Sequence, residues 1–251
     1  MSKTAPEKKY KILSIDPWLT PYRRDIQLRM DRFTDIRKKM LGAKGDLSSM
    51  ANGCLYYGIH RTESGWVYRE WAPGADEMHL IGDSNGWNRQ SHPMKKLPGG
   101  SWEAELSADA VKHGDLIKVQ VTKNGVRADH IPIYIRRVVQ NREDKSFSGQ
   151  VWAPRVPFRW TDGGYGRRKI SPLYIYEAHV GMAQEEGRIG TYREFADEVL
   201  PRIKAGGYNA VQLMAIQEHP YYASFGYQVS NFFAASSWYG EPEDLKYLIN
   251  T

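Results

Sequence analysis

AIQEHPYYASFGYQVSNFFAASSWYG, residues 215–240, opens where the short apolar run YNAVQLM, residues 208–214, ends. A run that short reads as a buried parallel strand, and in α/β folds the loops leaving the carboxyl ends of such strands carry the chemistry. The loop offers Glu218, His219, Tyr221, Tyr222, Tyr227, Gln228 and Trp238. Its rings can stack on a sugar while its polar groups hold hydroxyls. Nothing in it resembles a phosphate cradle.

Working outward, the rhythm around this loop is strand, helix, strand, helix, at 173–179, 192–204, 208–214 and 242–250. Thr191 is a fair cap for the first helix and Gly206-Gly207 stops it, so residues 172–251 read as the βαβα start of a parallel α/β fold. Residues 141–171 hold Pro154, Pro157, Gly163, Gly164 and Gly166, the composition of a wrapping linker, with Phe158 and Trp160 as anchors. Upstream, the pattern changes to short strands at 55–60, 66–71, 78–81, 102–106 and 116–121, with Asn124-Gly125 as the strongest hairpin signal. That spacing is the signature of an antiparallel sandwich over residues 50–140. Residues 1–49 are a polar tail followed by an amphipathic helix. Thr20-Pro21 opens it, Tyr22, Ile26, Met30, Phe33, Ile36 and Met40 recur along one stripe, and Gly42 follows.

Composition bounds the function. With 251 residues, 41% hydrophobic and 12% aromatic, the chain can hold one large or two ordinary domains with real cores. No apolar run approaches the roughly 20 residues of a membrane span, and the first residues lack an apolar signal core, which points to a cytoplasmic protein with no membrane partner. The lone Cys54 excludes an internal disulfide and a Cys-based metal cluster, and the sequence shows no sign of a metal or organic cofactor. The net charge of +6 belongs to the amino-terminal arm. Residues 1–44 carry 12 Lys plus Arg against 5 Asp plus Glu, an excess of +7 that leaves −1 elsewhere. Because acids interleave those bases, a solvated helix face is favoured over nucleic-acid binding.

Four segments carry a family resemblance: YIYEAHVG at 174–181, VLPRIK at 199–204, VQLMAIQEH at 211–219 and YASFGYQ at 222–228. They resemble the opening of the barrel domain of 1,4-α-glucan branching enzymes, the glycogen and starch branching group of the α-amylase superfamily. EWAPGA at 70–75 and GDSNGWN at 82–88 are similar to the glycogen-binding module that precedes that barrel. The resemblance implies an immunoglobulin-like β-sandwich, preceded by a helix and followed by the first two β/α units of a (β/α)8 TIM barrel. It implies a hexosyltransferase of glycogen biosynthesis that moves an α-1,4 glucan segment to a 6-hydroxyl with retention, and an α-1,4-glucan partner such as glycogen, starch or a maltooligosaccharide. The catalytic carboxylates of such an enzyme lie on later strands, so the resemblance places none in this sequence. It assigns glycan binding to Trp71, Pro73, Trp87 and Lys118, and substrate contacts in the cleft to Tyr227, Gln228, His219 and Glu218. Ser84 stands where the family usually has an aromatic, and the Pro98-Gly99-Gly100-Ser101 turn is shorter than usual, both of which weaken the platform.

Each assignment has a structural counterpart. Trp87 sits in an Asn/Gly turn and is either a ligand ring or packing, Trp71 ends a strand, where core packing is favoured over a ligand contact, and His219 before Pro220 can serve substrate or satisfy a carbonyl. Glu177 and His179, two apart on one strand, read as a hydrogen-bonded structural pair. A glucan-binding fragment without catalysis is the alternative function.

Overall fold

The computed structural model describes residues 10–41, 46, 50–163, 165 and 172–251. It separates into two compact units, residues 1–53 and 54–251. The expected polar tail over residues 1–9, Gly42, Gly164 and Gly166 lie outside the described residues.

In the smaller unit, a 3-10 turn over Pro17–Tyr22 leads into the helix Arg23–Leu41. The cap is Asp16, whose carboxylate accepts the Trp18 amide at 3.0 Å, so the expected Thr20-Pro21 start falls inside the turn. The stripe residues Tyr22, Met30, Phe33, Ile36 and Met40 are exposed. Among the described residues no helix is long and apolar enough to cross a membrane.

The larger unit begins with a correction. Residues 55–57 do not enter the first strand: Gly53–Tyr56 is a helical turn, and Gly58, at a φ of +93°, swings the chain into β1, Gly58–Arg61. The next strands are β2 (Gly65–Trp71), β3 (Glu77–Gly82), β4 (Lys95–Lys96), β5 (Ser101–Ser107), β6 (Leu116–Lys123), β7 (Val126–His130), β8 (Arg137–Gln140) and β9 (Phe147–Gln150). One sheet runs β1-β2-β5-β4 and the other β3-β6-β9-β8, with β7 also paired to β6. Asn124 and Gly125 both adopt positive φ, as a two-residue hairpin between right-twisted strands demands. Alternate residues turn inward, Trp66 and Tyr68 from β2, Met78 and Leu80 from β3, Trp102, Ala104 and Leu106 from β5, Ile117 and Val119 from β6, and they form one continuous core. Burial of each large side chain contributes about 1.5–3 kcal/mol. β9 lies in the stretch expected as linker. Its sequence FSGQ lacks apolar alternation, so it becomes a strand only because β6 and β8 flank it.

Beyond the sandwich, β10 (Ile175–His179) pairs in parallel with β11 (Ala210–Met214), with Ile175 opposite Ala210 and His179 opposite Met214. The crossover is helical in three consecutive pieces, Tyr192–Glu194, a π turn at Phe195–Val199, and Leu200–Ala205. Pro201 has no N–H for the Asp197 carbonyl, and the wide turn falls immediately before it. At its start the expected Thr191 cap forms a reciprocal box. Thr191 Oγ1 accepts the Glu194 amide at 3.2 Å and Glu194 accepts the Thr191 amide at 2.8 Å. The helix Pro242–Asn250 follows. Tyr192, Phe195, Ala196, Ile203, Tyr239 and Leu248 cover one face of the strand pair together with Ala178 and Val180. The opposite face, with Ile175, Glu177 and Gln212, is exposed, as are Tyr176 and Val211 at the open end of the covered face, so β11 is half-covered and not the buried strand expected of it. Only one face of the pair has helices to pack against.

The two parts of this unit are knitted together. Tyr134 stacks on Tyr57 at 5.3 Å and on Phe233 at 4.3 Å, the Trp152 indole donates to the Glu243 carboxylate, and Arg137 sits 3.5 Å from Glu241. Asn250 exchanges hydrogen bonds with the Thr161 amide and hydroxyl, anchoring the linker on the last helix.

Candidate glucan-binding surfaces

The turn after β3 is built around Asn85. Its Oδ1 accepts the Gly82 amide at 3.0 Å, and its Nδ2 donates to the Leu80 carbonyl at 3.0 Å and Ser91 Oγ at 2.8 Å. This scaffold holds Trp87 in the left-handed region at a φ of +61°, a conformation an L residue adopts only when its surroundings impose it. The indole Nε1 donates to Asp83 Oδ1 at 2.9 Å, while Asp83 Oδ2 accepts the Leu116 amide at 2.8 Å. One carboxylate therefore ties the ring to the beginning of β6, two residues before Lys118. Trp87 keeps 37% of its surface open. Lys118 alternates with the buried Ile117 and Val119 and so lies on the outer face, beside Asp129 and Asp144. Asp129 accepts from Arg89 at 2.5 Å and Gln120 at 3.3 Å, and chiefly the Arg89 hydrogen bond holds its carboxyl below the usual range. A ring flanked by fixed donors and acceptors is what a pyranose needs, since its faces are C–H and its rim is hydroxyl. Ser84, in the same turn, buries its hydroxyl without a partner.

Trp71 and Pro73 are elsewhere. Trp71 ends β2 on the outer face of the other sheet, 53% exposed, with its indole donating to the Gly99 carbonyl at 3.1 Å. Exposure settles the strand-end alternative against core packing. Gly100 lies on Pro73, where a Cβ would come within 2.5 Å of the proline ring, and its φ of +84° excludes other residues without strain. From there the chain enters β3 at Glu77, opposite Thr122, whereas Trp87 follows the far end at Gly82, opposite Ile117. Five residue steps of strand separate the two ends by about 17 Å, and the two surfaces face opposite ways. The four sandwich residues thus form two surfaces, Trp87 with Lys118 and Trp71 with Pro73.

The loop after β11 also divides. It is not a plain loop: Gln217–Glu218 (β12) pairs antiparallel with Asn231–Ala235 (β13). Glu218 and His219 are 1% and 0% exposed. Glu218 accepts the Ser237 amide at 2.9 Å and the His219 amide at 3.1 Å, and burial pushes its carboxyl upward. His219 Nδ1 donates to the Gln217 carbonyl at 2.9 Å, and its own carbonyl accepts the Trp238 indole at 2.8 Å. These two residues hold the loop together and do not face a ligand. Gln228 is exposed and Tyr227 is 82% exposed. Gly226, at a φ of +80°, packs so closely on Ala215 that a Cβ would meet its Cα at 2.5 Å, which throws Tyr227 outward.

Sequence reasoning missed the cluster beneath Tyr227. His179 does not pair with Glu177, which accepts Gln212 Nε2 at 3.2 Å. Instead the His179 ring meets Tyr222, Phe225 and Tyr239 edge-on, with Tyr239 Oη 3.4 Å from its Nε2. Burial, and secondarily His219, lowers the His179 pKa and favours the neutral ring. The signal available was the Tyr239 ring, but nothing local ties it to His179, 60 residues away. Among the described residues no group of three or more His, Cys, Asp or Glu side chains gathers so as to hold a metal.

An antiparallel sandwich with exposed tryptophans at polar turns is thus joined to a parallel β/α pair with an aromatic loop. Residues 56–135 match the family model of carbohydrate-binding module 48, the isoamylase N-terminal domain. The whole chain is 43% identical over 258 residues to a 1,4-alpha-glucan-branching enzyme of Emericella nidulans, covering 100% of this chain and 38% of that protein. The corresponding enzyme of Dictyostelium discoideum is 42% identical over 246 residues (96% and 36%), and that of Solanum tuberosum 44% identical over 246 residues (95% and 29%). The chain is homologous to the amino-terminal part of 1,4-alpha-glucan-branching enzymes and spans about a third of their length. Among solved structures, a pullulanase from Paenibacillus barengoltzii complexed with maltotetraose superposes with a TM-score of 0.62 at 19% identity, covering 77% of this chain and 35% of that one. A pullulanase from Bacillus acidopullulyticus gives 0.60 at 21% identity, covering 77% and 27%. These likenesses establish a fold shared with those pullulanases.

Proposed function

We propose that this chain is the glucan-gripping, amino-terminal portion of a 1,4-α-glucan branching enzyme, with residues 172–251 as the first two β/α units of a TIM barrel. The observation that carries this reading is the match over 95–100% of the chain to branching enzymes. The sandwich holds α-1,4-glucan, in glycogen, starch or maltooligosaccharides, on Trp87 with Lys118 and separately on Trp71 with Pro73. Tyr227 and Gln228 meet the substrate at the barrel mouth.

The complete reaction transfers an α-1,4 segment to a 6-hydroxyl. Retention requires a carboxylate nucleophile and a second carboxyl as acid/base on opposite sides of the scissile bond. The carboxylates of the cleft region here are otherwise engaged, Glu218 by backbone amides and Glu177 by Gln212. Because the resemblance places both catalytic carboxylates on later barrel strands, this chain by itself is expected to bind and position glucan without cleaving it. Amylose incubated with it keeps its iodine stain, and a clear loss of colour would overturn that. Electrophoresis through glycogen-containing gels tests the binding: the chain is retarded and Trp87→Ala is not, whereas free migration of the parent chain sinks the reading.

A second reading, a binding protein without catalysis, is favoured by the closed core of the sandwich. The coding sequence beyond Thr251 separates the two. An Asp-bearing strand followed by a Glu-bearing strand supports the enzyme, and an immediate stop codon supports the binding fragment.

A further inference from the structure

On the flank of the sandwich, a cavity of about 240 Å³ opens between β1, the segment before β8 and the residues after β9. Ile59, Ile135 and Val151 contribute apolar walls, and the rings of Trp66, Tyr134 and Trp152 border it. Two arginines, Arg61 and Arg136, complete the lining with Ala153 and His60, whose Nε2 donates to the Tyr57 carbonyl at 2.7 Å, and no Asp or Glu side chain takes part. Five arginines are matched by carboxylates, Arg69 by Glu103, Arg89 by Asp129, Arg137 by Glu241, Arg188 by Glu194 and Arg193 by Asp244, while, among the described residues, others on the open surface, such as Arg127 and Arg155, are not. Arg61 and Arg136 are in no ion pair among the described residues. Arg61 rests over the Trp66 ring at 5.1 Å, which fixes its plane but leaves its N–H donors unused. Arg136 spends only Nη2, on the Cys54 carbonyl at 3.0 Å.

Two guanidinium forks at a cavity without a carboxylate fit an anion, and phosphate oxygens match that fork geometry best. The cavity is smaller than the roughly 300–1,000 Å³ of drug-sized ligand sites, so it suits one small ring and not a glucan chain or a nucleotide. Apolar walls beside ring edges suit the C–H faces of a hexose. We infer that this cavity is a site for a hexose phosphate, the phosphate held by Arg61 and Arg136 and the sugar resting inward against Ile59, Ile135 and Val151. It is separate from both tryptophan surfaces, so it does not depend on the glucan reading.

Titration calorimetry of the full chain with glucose 6-phosphate, inorganic phosphate, glucose and AMP tests the site. Glucose 6-phosphate is expected to bind saturably, at least tenfold more tightly than inorganic phosphate, with no measurable heat from glucose and weaker binding of AMP. Arg61→Gln with Arg136→Gln should weaken it at least tenfold while an unchanged melting curve shows the fold intact. Should the double variant unfold, the parent chain still decides, because raising NaCl from about 50 to about 500 mM must weaken an arginine-held phosphate severalfold. Equal binding of glucose, tighter binding of AMP or inorganic phosphate, insensitivity to salt, or unaltered binding by a folded double variant would each overturn the inference. Glycogen-gel retardation with Trp87→Ala reports on the other reading independently.

Discussion

The sandwich and the β/α portion bury comparable machinery in opposite ways. In the sandwich two sheets face each other, so every inward position of β2, β3, β5 and β6 finds a partner and the core closes. In the β/α portion a two-stranded sheet has helices on one face only, and Ile175, Glu177 and Gln212 stay exposed on the other. Each part also buries one glutamate. Glu70, in the sandwich, accepts Tyr68 Oη at 3.0 Å and the amides of Trp71 and Ile133 at 3.1 and 2.9 Å, while Glu218 accepts the amides of His219 and Ser237 and the Ser237 side chain. A closed core tolerates a charge it has fully surrounded, and an open layer uses its charge to hold a loop in place. Burial raises both carboxyls.

The largest expected effect tests closure. Trp102→Ala should destabilise the larger unit by about 3–5 kcal/mol in urea unfolding, because it opens a cavity in a closed core and removes one of the two hydrogen bonds to the Ala72 carbonyl. A loss below 1 kcal/mol would mean the sandwich core is as yielding as the open layer. Next, Glu218→Ala should cost about 1–3 kcal/mol through the two abandoned amides, and amide hydrogen exchange at His219 and Ser237 should accelerate. If exchange there is unchanged, the buried carboxylate does not hold the loop. Gly226→Ala should cost a similar 1–3 kcal/mol, from positive φ and the contact with Ala215, and should disturb Tyr227 without affecting sandwich amides in NMR spectra. A smaller effect sharpens the electrostatic contrast. Hydrogen bonds from Arg188, then from Thr191, hold the Glu194 carboxyl down at about 2, against the ordinary 4.5. Its contribution is present above about pH 4.5 and is lost as pH falls toward 2. Glu194→Ala should therefore cost about 1 kcal/mol at pH 7 and nothing near pH 2. The raised carboxyls of Glu70 and Glu218 run the other way, their ionised forms weighing against folding as pH rises above 4.5. The smallest stability effect, within about 0.5 kcal/mol, is expected for the partly exposed Trp87→Ala, whose consequence lies in glucan retention.

Much of the fold was legible. Alternation in residues 66–71, 78–81, 102–106 and 116–121 marked strands because one side of each is buried, and Asn124-Gly125 marked the hairpin because few other pairs accept two positive φ values. The Thr191 cap and the Gly206-Gly207 stop act within a few residues and were readable for that reason. Residues 55–57 and 147–150 were misjudged because their state depends on neighbours distant in sequence, β2 and Tyr134 for the first and β6 for the second.

The candidate site divides along the same line. By itself the sequence put Trp87 and Tyr227 directly after glycines, where a large ring is hard to bury, and both are exposed, whereas the core packing it favoured for Trp71 is overturned by that ring's exposure. Only tertiary structure decided which of them stand together. It parted Trp71 from Trp87 along the length of β3, drew Glu218 and His219 inside, and brought His179 to Tyr239. Those outcomes depend on sheet register and on which face receives a covering layer, and contacts between distant segments settle both.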